Sequence, residues 1–176
     1  MAALIQKTVY SEPMHDYIEY ASSIRGSIIN AVAEMERTID DYICGYFCRP
    51  AKKRSELMEV ILSNTHVGFR SKIEILRYVL KKKKQAKPEE ITYFCDKVLK
   101  KKIVDKRNMM AHNPLDTSRA SINKFLQDKS TIHVIQYANI KKVKAYTKKE
   151  TGDLLMLIFT VKQFFENLKI KKPKKH

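Results

Sequence analysis

Between Ile24 and Phe47 the apolar residues Ile24, Ile28, Ala31, Val32, Met35, Ile39, Ile43 and Tyr46 recur at spacings of three and four, while Arg25, Glu34, Arg37 and Asp41 fall elsewhere. This periodicity predicts one long amphipathic helix, whose apolar stripe the rest of the chain has to cover. Arg49-Pro50 ends it, because the residue before a proline is pushed out of helical geometry. Four glycines, five prolines and no tryptophan in 176 residues argue against many short strands joined by tight turns. The expected fold is all-α, an antiparallel bundle of about five helices with room for one short strand or hairpin near 131–145. With 44% apolar residues, this length suits a single domain over 1–176, carrying a basic tail at about 169–176.

A shorter helix fits Ser55 to Leu62, with Leu57, Val60 and Ile61 on one side, before the polar turn at Ser63 to His66. Phe69, Ile73, Leu76 and Leu80 form the stripe of a third helix, which runs into Lys81 to Lys84 and breaks at Lys87-Pro88. Pro88-Glu89-Glu90 then starts a fourth, since proline suits a first turn and the acidic pair complements the helix dipole. It passes through Ile91, Cys95, Val98, Leu99, Ile103 and Met110 to about His112, where Asn113-Pro114 stops it. Residues 115–130 read as a short helix plus a turn, and Thr131 to Tyr137 as a strand without an evident partner. Thr147 and Glu150 make a capping box for a last helix over about 148–168. That helix carries one stripe of Leu154, Ile158, Val161, Phe165 and Leu168, and further apolar residues off it at Leu155, Leu157, Phe159 and Phe164. Such a helix is central in the core or shared with a second subunit.

The net charge is +16 and uneven: residues 1–50 hold four Lys/Arg against seven Asp/Glu, a balance of −3 that leaves +19 for residues 51–176. An excess of that size points to an anionic partner, nucleic acid ahead of a membrane surface, although lysine-rich surfaces also serve solubility alone. Three cysteines cannot close a disulfide framework and no charged-then-apolar leader opens the chain, so a reducing, cytoplasmic setting is expected. The longest unbroken apolar run, Leu154 to Phe159, is far too short to span a bilayer.

The stretch KKKIVDKRNMMAHNPLD at 100–116 closes the fourth helix with Arg107, Asn108 and His112. At about 100° per residue, His112 lies roughly 40° to one side of Asn108 and Arg107 about 100° to the other, with Ala111 and Val104 between them. Histidine titrates near neutrality and moves protons, arginine's planar fork matches phosphate oxygens, and Asn108 can orient the imidazole or hold a substrate oxygen. Together they suit attack of an RNA 2′-hydroxyl on the adjacent phosphate, with a base, an acid and a cation for the charged phosphorane, and no metal or other cofactor. One histidine does not easily serve as acid and base in the same event, whereas two copies meeting in a homodimer supply both. Lys101, Lys102 and Lys106 are the candidate substrate-binding cations beside it. The competing reading is that His112 and Arg107 only stabilise the negative end of the helix dipole.

Arg107-Asn108-Met109-Met110-Ala111-His112, followed by Asn113-Pro114, resembles the R-N-x-x-x-H signature of the HEPN superfamily. These are all-helical domains, many of them metal-independent endoribonucleases of toxin–antitoxin and abortive-infection (antiviral defence) systems. The order of helices over most of residues 15–168 is similar too. The resemblance implies that Arg107 and His112 are the catalytic pair, that Asn108 fills the polar position after the arginine, and that two chains build a composite cleft. An antitoxin protein as partner is a further implication. Silencing by nucleotidyl transfer needs a tyrosine two residues after the histidine, and Pro114 stands there instead. Some members add an acidic or polar residue from the first long helix; here Glu34, Arg37 and Asp41 lie on its polar side.

Cys44 and Cys48 share a helix face but lack further ligands at zinc spacing, so Cys44, Cys48 and Cys95 read as thiols beside the core. His15, His66 and His133 have no spacing that suggests a metal or a triad. The lysine clusters at 81–84, 100–102 and 169–175 would attract a nucleic-acid backbone, and Tyr93 and Tyr146 are candidates for base stacking. Beside the ribonuclease stand a non-catalytic basic module that binds RNA or a partner protein, and a purely structural helical subunit.

Overall fold

A computed structural model describes residues 11–48, 50–62, 67–136 and 143–170. Among them the fold is all-α with one short hairpin. The first helix, α1 (Glu12–Phe47), is 36 residues long, about 54 Å at 1.5 Å per residue. It begins a full three turns before Ile24. Ser11 precedes it in extended geometry, Pro13 occupies its first turn, and Tyr17 and Ala21 continue the buried stripe upstream of Ile28. Against it pack α2 (Ala51–Leu57), α3 (Phe69–Lys82), α6 (Arg119–Asp128) and α7 (Lys148–Ile170), with α7 the most extensive neighbour. Tyr42 and Phe165 meet at that interface with ring centroids 5.2 Å apart.

Between Pro88 and His112 the chain forms a continuous rod: α4 (Pro88–Tyr93), a stretch of wider π winding over Phe94–Val104, and α5 (Asp105–His112). Ile91, Cys95, Leu99 and Ile103, four apart, are all buried. In a regular α-helix three such steps would drift about 120° around the axis. The wider winding counters that drift and keeps the row against the core. A second π turn, Met58–Leu62, follows α2. There the register shifts as well: Val60, expected inside, is 68% exposed, and Leu62 takes the buried place.

The strand expected at 131–137 is β1 (Ile132–Ile135), and it has a partner in β2 (Val143–Tyr146). The pair is antiparallel, in register Ile132↔Tyr146 and Val134↔Lys144. Ile132, Val134 and Tyr146 face the core from this hairpin. Thr147 caps α7 as anticipated: Glu150 N–H donates to its hydroxyl at 3.2 Å, and its own N–H donates to the Glu150 carboxylate at 3.0 Å. On α7 the predicted stripe is covered, while Met156, Phe159 and Phe164 stay exposed. No helix among the described residues is long and apolar enough to cross a membrane. Residues 171–176, most of the basic tail, lie outside the described residues, as do His66 and Tyr137.

Candidate active site

The site is built at the C-terminal end of α5. Asn113 leaves the helix in extended geometry, φ −86° and ψ 138°, as the residue before Pro114 must. Pro114 and Asp116 then tie this exit to the hairpin: Ile135 N–H donates to Pro114 O at 3.0 Å and Asp116 N–H to His133 O at 2.9 Å. The carbonyls left open at the helix end are met from α1. Arg25 Nε–H donates to Met110 O at 2.6 Å, and its Nη2 donates to Asn113 O at 3.0 Å. A guanidinium placed there satisfies two orphan carbonyls and opposes the negative end of the helix dipole. The C-terminal cap is therefore Arg25, and His112 is left exposed, with no hydrogen bond or ion pair to any described residue.

Arg107 and Asn108 face inward instead. The Arg107 Nη1 donates to Asn108 Oδ1 at 3.0 Å. Both line a small cleft of about 140 Å³ against α1, together with Val32, Glu36, Phe69 and Val104. His112 is not part of that cleft. Arg107 and His112 are five apart, about 140° around the helix, so one chain brings Arg107 and Asn108 together in the cleft and turns His112 away from Arg107.

The carboxylate that α1 presents to this cleft is Glu36. None of the three residues weighed from α1 holds that position. Glu34 accepts from Lys162 of α7 at 2.7 Å, Arg37 lines a neighbouring cavity with Asp40 and Lys72, and Asp41 is half-buried and engaged. Glu36 accepts from Lys72 Nζ at 2.6 Å, and the same ammonium donates to the Asp40 carboxylate at 2.8 Å. Burial pushes the Asp40 carboxyl up to about 6 against the lowering by Lys72. Burial pulls the Lys72 ammonium down, but its bonds to Asp40 and Glu36 outweigh that and leave it raised. One Asp40 oxygen, Oδ1, is buried without a hydrogen-bond partner. In the sequence, Glu36 and Asp40 stand four apart on the flank of the stripe, which marks them as half-inward acids. Their cation, Lys72, had no local signal.

The three candidate substrate lysines do not form one group. Lys101 is exposed and lines neither cavity, whereas Lys102 and Lys106 line a separate cavity under Tyr146. Lys100 of the 100–102 run is held by Asp96 at 3.0 Å and by Glu74. Tyr93 is exposed, but Tyr146 is only 3% exposed, so its ring cannot stack on a base; its pairing with Ile132 turns it into the core. Cys44 and Cys95 are buried and Cys48 half-buried, all unbridged, and burial pushes the Cys44 thiol up to about 11. His133 is buried in β1, where burial lowers its pKa, and its Nδ1 has no partner. His15 lies exposed beside Glu19 at 3.9 Å. Among the described residues no three His, Cys, Asp or Glu side chains gather as a metal-binding group.

No protein-family model matches this chain, and neither a curated protein nor a solved structure is significantly similar to it.

Proposed function

We propose that the chain is a HEPN-like, metal-independent endoribonuclease that works as a homodimer, with Arg107, Asn108 and His112 of both copies around one phosphate. The reading is carried by one observation: the helix end is capped by Arg25, so among the described residues His112 is not needed as the cap and stands exposed, open to a second copy. The 140° between Arg107 and His112 fits the same arrangement, because residues turned that far apart on one helix meet around one phosphate more readily when a second copy supplies one of them. In the reaction one imidazole removes the 2′ proton of RNA, O2′ attacks phosphorus, and the P–O5′ bond breaks. The 5′ oxygen takes its proton from the second imidazole, held as imidazolium, while the guanidinium groups stabilise the phosphorane. The products are a 2′,3′-cyclic phosphate and a 5′-hydroxyl. The +16 net charge supports an RNA substrate, and a protein antitoxin and a cytoplasmic location belong to the same proposal.

A second reading, a non-catalytic RNA- or protein-binding module, draws on the bond between Arg107 and Asn108 and on Glu36, which lines the same cleft from α1. Cleavage of a labelled RNA pool in excess chelator separates the two. The nuclease predicts cutting to cyclic-phosphate ends that Arg107→Ala and His112→Ala abolish without changing dimerisation or melting temperature. Salt-dependent binding without cutting, unaffected by both substitutions, would establish the module.

A further inference from the structure

The second cavity, about 350 Å³, lies between the Lys102, Lys106 and Met110 side of the rod, Tyr146 of β2, and the first turns of α7 at Leu154 and Leu157. Lys106 Nζ stands 5.2 Å from the centroid of the Tyr146 ring, and Lys144 Nζ 5.0 Å from the same centroid. The two amines thus crowd one ring, and the charge of Lys144 works against that of Lys106. An ammonium has three donors and no acceptor, so two of them cannot satisfy one another. Their repulsion makes one proton easier to lose, and an anion between them would relieve it. In the unliganded chain the repulsion falls on Lys106: burial and Lys144 pull its ammonium down to about 8.

The other charged groups around Lys106 do not resolve the pair. Lys102 adds a third cation from the same rod. From α7, Glu150 is already an acceptor for the Thr147 backbone and hydroxyl at 3.0 and 3.2 Å, and Asp153 is exposed at the rim. A phosphate oxygen would accept from both amines at once and hold Lys106 in its charged form. The cavity is larger than a phosphate alone, and its floor of Met110, Leu154 and Leu157 is apolar, which suits the sugar and base attached to that phosphate.

We propose that Lys106 and Lys144, backed by the Tyr146 ring and joined by Lys102, form a subsite that takes one backbone phosphate of single-stranded RNA, separate from the Arg107–Asn108 cleft. This deepens the reading of the chain as an RNA-acting protein, but it does not depend on catalysis. Lys144 belongs to it and Lys101 does not.

The test is anisotropy of a labelled, 2′-O-methylated RNA oligonucleotide, which cannot be cleaved, across a salt series. Lys106→Met and Lys144→Met should each weaken binding, and the double variant should be little worse than either single one, because both amines hold the same phosphate. The slope of log affinity against log salt should become shallower by about 0.7, one phosphate contact on a single strand. Affinity of the native chain should fall between about pH 7.5 and 9 as Lys106 loses its proton, and Lys106→Arg should bind as tightly and abolish that fall. Equal weakening by Lys101→Met, or a double variant whose losses multiply, would overturn the subsite in favour of a diffuse basic field. Inorganic phosphate or a nucleoside monophosphate that binds the Lys106–Lys144 pair as tightly as the oligonucleotide would overturn the RNA assignment. A native chain that binds in this way but cuts nothing leaves the subsite standing and removes the nuclease.

Discussion

Arg25→Ala should loosen the end of the motif helix more than its place on α1 suggests. The guanidinium makes two hydrogen bonds, to Met110 O at 2.6 Å and to Asn113 O at 3.0 Å, and both carbonyls belong to the last turn of α5 or its exit. Hydrogen bonds from a charged donor contribute about 1.5–3 kcal/mol each. The site is half-buried, so water replaces part of what is lost, and about 2 kcal/mol in total is expected for the pair. For a chain of this size that lowers the melting temperature by roughly 4–8 °C. Arg25→Lys keeps the charge but not the fork, and should recover less than half of the loss. Thermal unfolding followed by circular dichroism gives the stability, and hydrogen exchange locates it: protection should fall at the amides of Asn113 and Ile135, which bond to Met109 and Pro114 across this exit. A melting temperature unchanged within a degree, with exchange unaltered there, would refute the cap and return the dipole-stabilising role to His112.

Three other outcomes follow from the packing. Lys72→Met strands the buried Asp40 carboxylate and should cost about 3–5 kcal/mol at pH 7.5. Asp40 titrates upward, near 6, so the folded state binds its proton more readily than the unfolded one; the penalty should shrink as pH falls from 7 towards 5, and denaturant melts showing no such pH dependence would sink the assignment. Phe165→Ala should destabilise by about 3–5 kcal/mol, because the ring is wholly buried among Tyr42, Phe94 and Phe164, while Phe159→Ala on the exposed side of the same helix should stay within about 1 kcal/mol in chemical denaturation. Thr147→Ala removes the hydroxyl that accepts from Glu150 N–H and should cost about 1 kcal/mol, with Thr147→Ser retaining most of it in the same assay.

Signals that lie close together in the chain stand in the structure. The stripe of α1 from Ile28 onward, the proline start at Pro88, the stop at Asn113-Pro114 and the Thr147 cap all rest on residues within four positions of each other, and all stand in the structure. The first third of α1 lies upstream of the expected start at Ile24, although Ser11, Pro13, Tyr17 and Ala21 carry the same kind of signal. Val60 and Tyr146 depart from expectation for different reasons: Val60 lies in a π turn that leaves it exposed, and pairing with Ile132 turns Tyr146 inward. The strand at 143–146 has too many lysine neighbours to announce itself and exists because β1 offers it a register.

By itself, then, the sequence determined the helices, their buried stripes and the placing of Arg107, Asn108 and His112 on one helix end, since each depends on backbone geometry over a turn or two. Tertiary structure alone decided what those residues meet. Arg25 caps carbonyls 85 and 88 residues away, Lys72 joins acids 36 and 32 residues before it, and Tyr17 reaches β1 across 116. Such partners carry no periodic signature, because a long-range hydrogen bond or ion pair forms only after the apolar stripes have brought the helices together.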